Sequence, residues 1–106
     1  MKTLLLSSSI ALALAGSAHS EPTHQVQVLG SAVIVTASNK ENIPYNFQIT
    51  YQVIYDSYGE TKTINVNQAG SIEPNTTKEI NRTAGYMTNA RLGAPVNIQW
   101  FPMPKK

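Results

Sequence analysis

Phe47-Gln48-Ile49-Thr50-Tyr51-Gln52-Val53-Ile54-Tyr55 carries the clearest structural signal in the chain. Phe47, Ile49, Tyr51, Val53 and Tyr55 are apolar or aromatic, whereas Gln48, Thr50 and Gln52 between them are polar. A period of two marks a pleated strand, because successive side chains leave it on opposite faces. The residue types agree, since β-branched and aromatic side chains fit a half-buried pleated surface. Pro44 stands just before the run and marks its start, because proline cannot donate a hydrogen bond within a ladder. Beyond the run, Asp56-Ser57-Tyr58-Gly59 has the residues of a type I turn, with Asp first and Gly fourth. Thr61 to Val66 then returns with Ile64 and Val66 on one face and Thr63 and Asn65 on the other, which completes a β-hairpin.

Outward from this hairpin the same period recurs. Gln25 to Leu29 alternates, and Ala32 to Val35 is a continuous apolar run rich in β-branched residues. Val26 and Val28 are even positions whereas Val33 and Val35 are odd, so the register has to change near Gly30 through a bulge or a tight turn. Near the other end, Pro95 opens and Pro102 closes a last strand, with Val96, Ile98 and Trp100 on one face and Phe101 on the other. Asn75 to Leu92 admits two readings. Thr76 with Glu79 could cap a helix carrying Ile80, Ala84 and Met87, but Thr77, Thr83, Gly85 and Thr88 are poor helix formers. A short strand over Lys78 to Arg82, a loop, and a weak strand before Gly93 fit better. The expectation is an all-β fold, a sandwich of six to seven antiparallel strands.

The N-terminal segment follows a different logic. Lys2 supplies a positive start, Leu4 to Ala15 an apolar centre and Gly16 to Ser20 a small-residue tail, the three zones of a cleavable secretory signal peptide. Ala18 and Ser20 fit a peptidase that cuts before Glu21, and the apolar stretch is shorter than the ~20 residues that span a bilayer. The domain organisation is therefore a leader over 1–20 and one domain over 21–106. A domain of that length buries a modest core without staples, as it must here, because the chain has no cysteine. The absence of Cys also removes thiol chemistry and lipid attachment through a Cys. Of the charged residues only Lys2 lies in the leader, so the mature part keeps seven basic and six acidic residues, too even a balance to bind nucleic acid by charge. Lys105 and Lys106 at the end read as a solvated tail.

Tyr51 to Gly59, followed by Ile72-Glu73-Pro74-Asn75-Thr76, resembles a pattern of small bacterial envelope domains, the FxLYD-type domains and the YcfL-like exported proteins. In these an alternating strand ends in aromatic-Asp-x-x-Gly, and a later strand follows an apolar-x-Pro-x-Thr turn. The resemblance covers roughly Val33 to Ile80 and implies an immunoglobulin-like sandwich. It supplies no catalytic residues. YcfL-like proteins are typically anchored through a lipidated Cys, which this chain lacks, so that attachment does not carry over.

Candidate chemistry is sparse. His24 would be the only histidine left after cleavage and falls at a frayed new end, where a triad or a metal site lacks a rigid setting. Asp56 and Glu60 flank one turn, and Glu73 and Glu79 flank another; carboxylate pairs hydrolyse glycosides only within a substrate cleft. Asp56 bonding its own turn is the simpler reading. Asn75-Thr76-Thr77 and Asn81-Arg82-Thr83 fit the N-glycosylation triplet, which matters only in a host with that machinery. Among the aromatics, Tyr51, Tyr55 and Trp100 belong to apolar faces, and Tyr58, Tyr86 and Phe101 are left as candidate binding residues. The expectation is a non-enzymatic module without metal or cofactor, periplasmic or secreted, binding an envelope or extracellular protein or assisting envelope assembly. The alternatives are a secreted hydrolase inhibitor, presenting a loop such as Asp56 to Gly59, and a small glycan-acting enzyme using Glu73 or Asp56.

Overall fold

The computed structural model describes residues 20–103. The expected signal peptide, apart from its last residue Ser20, and the Lys105-Lys106 tail lie outside them. Six strands follow in chain order: β1 Thr23–Leu29, β2 Ala32–Asn39, β3 Tyr45–Ser57, β4 Glu60–Ile72, β5 Thr76–Ala84 and β6 Thr88–Pro102. They form two antiparallel sheets, ordered β1-β2-β5 and β4-β3-β6, and no helix occurs among the described residues. The all-β sandwich is as the alternation requires.

The odd residues of β3 set the core. Tyr45, Phe47, Ile49, Tyr51 and Val53 are buried and face Val33, Val35 and Ala37 of β2, while Ile64, Val66, Ile98 and Trp100 of the flanking strands pack half-buried beside them. One polar group joins the two sheets inside this layer. The Tyr51 hydroxyl, on β3, donates to Asn81 Oδ1 at 2.6 Å and lies 2.7 Å from Thr83 Oγ1, both on β5. Burial raises the Tyr51 pKa, which keeps that hydroxyl protonated and able to donate.

Several local expectations need correction. The β3–β4 hairpin does not close through a type I turn over Asp56–Gly59. Ser57 pairs with Glu60, leaving Tyr58 and Gly59 as a two-residue turn with φ of 51° and 78°. Two left-handed central residues define the type I′ turn, whose twist matches that of the strands it joins. The last strand does not open at Pro95 but runs from Thr88, and the weak strand before Gly93 is its first half. Pro95 sits at a register break opposite Tyr51, where the ladder between β3 and β6 is interrupted and no donor is needed. The strand expected over Lys78 to Arg82 extends to Thr76–Ala84. Its partner register shifts at Val35/Thr36, leaving Ile80 as the extra residue of a bulge. The register change near Gly30 is a tight turn, since Leu29 pairs with Ala32.

Candidate functional site

The two ends of the sandwich differ in how their loops are held. At the end where β3 begins, Asn39 is 1% exposed and its side chain is fully engaged. Its amide donates to the carbonyls of Ile43 at 2.8 Å and Glu73 at 3.0 Å, and its Oδ1 accepts from the Glu41 N–H at 3.1 Å. The Asn75 N–H adds a bond to the Glu41 carbonyl, so the loop after β2 and the β4–β5 turn are locked together. Met103 is tied here as well, through its N–H to the Pro44 carbonyl. This end is closed by its own hydrogen bonds.

The opposite end presents side chains instead. Tyr58, at the apex of the β3–β4 turn, is 93% exposed, and Tyr86, between β5 and β6, is 91% exposed. The Met87 N–H bonds the Gly85 carbonyl at 2.9 Å, so Tyr86 is the central residue of a γ-turn. Both tyrosines therefore sit on the tightest bends of their loops, with the side chains thrown outward. Between them lies an open hollow of about 360 Å³ lined by Asp56, Ser57, Tyr58, Gly85, Tyr86, Met87 and Thr88, with buried Met87 beneath.

Asp56 holds this end together. Its carboxylate accepts from Asn89 Nδ2 at 3.1 Å and from Thr61 Oγ1 at 3.1 Å, with the Arg91 guanidinium 3.9 Å away, and its carbonyl accepts from Thr88 Oγ1. The bonds from Asn89 and Thr61, helped by Arg91, hold the carboxyl below the ordinary aspartate range. Asp56 thus bonds Thr61 across the β3–β4 ladder, where a bond within its own turn is expected from the sequence, and also fastens the hairpin to the start of β6. Asn89 was not singled out in the sequence, although an Asn that tolerates left-handed backbone (φ 53°) is the residue type for the irregular start of β6.

Phe101 does not join the pair. It is 50% exposed and lies opposite Asn46, whereas Thr88 beside the hollow lies opposite Asp56. Ten residues of strand separate the two positions, roughly 33 Å.

The remaining carboxylates are dispersed. Glu73 pairs with Lys78 at 2.8 Å, Glu79 with Arg82 at 2.8 Å, and Glu60 with Lys62 at 3.6 Å. The bonds from Lys78 and Arg82 lower the Glu73 and Glu79 pKa values, the opposite of what a general acid needs. Asp56 and Glu73 lie at opposite ends of the sandwich and cannot act on one bond. No group of three His, Cys, Asp or Glu able to hold a metal occurs among the described residues. His24 is not on a frayed end. It pairs with Ala37 within β1, one residue past Thr23 and two past the buried Pro22, but its side chain is exposed. Asn81 accepts from Tyr51 and is committed to the sheet contact, whereas Asn75 is exposed in its turn. No protein-family model matches the chain, and no curated protein or solved structure is significantly similar to it.

Proposed function

We propose that this is an exported, non-enzymatic module that binds an envelope or extracellular protein through the Tyr58–Tyr86 end. One observation carries the reading: Tyr58 occupies left-handed backbone while its side chain touches almost nothing. A bulky side chain there costs roughly 1–2 kcal/mol, and the neighbouring Gly59 shows that a residue better suited to the turn is easily placed. The folded state gains no packing in return. A strained and exposed aromatic is accounted for by a contact made outside the chain. Tyr86 is likewise exposed on the facing loop, without left-handed backbone, and Asp56 ties the hairpin to the start of β6, so the pair is preorganised for binding. Kinship with FxLYD-type and YcfL-like domains belongs to the same proposal, with its motif residues falling on β3 and on the β4–β5 turn. The protruding hairpin tip also favours an inhibitor, since a convex loop is what enters an enzyme cleft.

The test is capture with tagged exported protein from envelope extract and from culture medium, using Tyr58→Asn, Tyr86→Ser and Phe101→Ser alongside the wild type. Tyr58→Asn creates Asn-Gly, the favoured pair for this turn, and should stabilise the fold while weakening capture at least about tenfold. Tyr86→Ser should weaken capture equally, and Phe101→Ser should not. Undiminished capture by both tyrosine variants overturns the proposal. A captured hydrolase that loses activity on binding selects the inhibitor form.

A further inference from the structure

Two three-stranded sheets have four edges, and three of these are blocked in recognisable ways. β1 is only seven residues long. β5 carries the bulge at Ile80 and the charges of Lys78, Glu79 and Arg82. β6 has Pro95, Pro102 and repeated register breaks against β3. β4 has no bulge and no proline, and its charges, Glu60 and Lys62, are confined to its first three residues. Its thirteen residues pair with β3 without a single register shift, and Thr63 to Ile72 contains neither a charge nor a proline. Its other side is unpaired among the described residues.

We propose that β4 is the self-pairing edge of a twofold dimer, in which two copies join β4 to β4 antiparallel and the β4-β3-β6 sheets become one continuous sheet. A twofold axis normal to the sheet keeps the core faces of both copies on the same side, so opposed residues must face the same way. An axis through Asn67, in the middle of the uncharged run, meets this condition. It sets Val66 opposite Gln68, Ile64 opposite Gly70, Asn65 opposite Ala69, and Asn67 opposite itself. Asn67 already accepts a hydrogen bond from the Gln48 amide, and Gln52 donates to Asn65 at 3.0 Å, so the outer face is a set of amide rows. Two Asn67 side chains on the axis can bond each other reciprocally and extend those rows across the junction. Lys62 then stands opposite Ile72, and no like charges oppose one another along β4. A second copy therefore fits this edge in a way that follows from the edge alone, because an isologous contact needs only self-complementarity.

Sedimentation of the exported protein over a concentration series should show a monomer–dimer equilibrium. Asn67→Lys and Asn67→Glu, each placing like charges on the axis, should weaken it at least about tenfold, and mixing the two variants should restore a heterodimer. Ala69→Lys is a second, independent disruption, with circular dichroism verifying the fold of every variant. In the wild type, amide exchange over Thr63 to Ser71 should slow as concentration rises, a readout that needs no variant. A species that stays monomeric up to about 1 mM overturns the proposal, as does a dimer indifferent to both lysine substitutions. A monomer whose β4 amides are protected only by another protein's strand overturns it too.

Discussion

Replacing Gly70 by alanine should destabilise this protein, although the usual expectation is the reverse. A Gly→Ala change at a position without positive φ restricts the unfolded chain and normally stabilises by about 0.4–1 kcal/mol. Gly70 has no positive φ, so this gain is available. Packing opposes it. Gly70 pairs with Phe47, and a Cβ there would stand 2.6 Å from Phe47 Cζ and 3.2 Å from each Cε. The ring cannot retreat, because Trp100 meets it from the next strand with ring centroids 5.6 Å apart, and Phe47 is itself buried. Overpacking of a filled site costs about 1–3 kcal/mol, so the clash outweighs the entropic gain and a net loss of about 1–2 kcal/mol is expected. Gly30 is the control: it also lacks positive φ, and a Cβ there meets nothing within 4 Å, so Gly30→Ala should show the gain alone. Urea unfolding at fixed protein concentration measures both, with unchanged m-values showing that only stability has moved. Phe47→Leu should cost less in the Gly70→Ala background than in the wild type, because the smaller side chain relieves the clash. Equal stabilisation by Gly70→Ala and Gly30→Ala would refute the argument.

Trp100→Ala should cost about 3 kcal/mol by denaturant unfolding, the lower end for a large aromatic because Trp100 is half-buried, although it meets both Tyr45 and Phe47 edge-on. Phe101→Ser, half-exposed on the outer face, should stay within about 1 kcal/mol of the wild type, and equal losses would place both faces of β6 in the core. Tyr51→Phe deletes the hydroxyl between the sheets and should cost about 1–2 kcal/mol, and no loss would mean that Asn81 and Thr83 are satisfied equally well by water. Asp56, Glu73 and Glu79 all have lowered folded-state pKa values, so their contribution is present above the unfolded values near pH 4 and lost as pH falls through the folded ones. The thermal midpoint should accordingly drop in acid below about pH 4, less steeply in Asp56→Asn, and a flat profile would show that these bonds do not persist in solution.

The core was legible because it is written in the period of β3. Every odd residue from Tyr45 to Val53 is buried, and the inward set of β6, Val96, Ile98 and Trp100, also follows alternation alone. The errors fall where a local preference competes with a tertiary one. Asp56 and Gly59 occupy the first and fourth places of a type I turn, but the twist of two thirteen-residue strands selects the type I′ turn one residue later, despite a tyrosine in left-handed backbone. Pro95 looked like a strand start because proline ends a ladder, and a register break lets the strand pass through it. At the candidate site, the exposure of Tyr58 and Tyr86 could be read from their turns, whereas their convergence could not. It rests on the pairing of β3 with β6, which sets Asp56 opposite Thr88, and on Asn89 reaching Asp56 from more than thirty residues away, contacts that no local pattern encodes.

The contrast between the two ends bears on how a partner would be met. At the Asn39 end the loop hydrogen bonds turn inward, and a buried amide leaves little for another molecule to recognise. At the Tyr58 end the same task of closing loops falls to Asp56, whose partners Thr61, Asn89 and Arg91 lie behind the turn and leave both tyrosines free. Rigidity and exposure are thereby separated: the backbone bends are fixed, and the rings that project from them are not consumed in fixing them. Asp56→Asn should then distinguish positioning from contact. It exchanges a carboxylate that also lines the hollow for an amide of the same size, so a loss of capture that arises from loosening of the hairpin against β6 has to appear in the mobility of both segments. Such a loss should recover when the hairpin is tightened by other means, as Tyr86-dependent capture in a Tyr58 variant would not. Amide exchange at Ser57 to Glu60 and Thr88 to Arg91 should rise together in Asp56→Asn, since one side chain restrains both segments. Independent exchange in the two segments would mean that the tyrosines are not held as a pair, and the preorganised site would lose its physical basis.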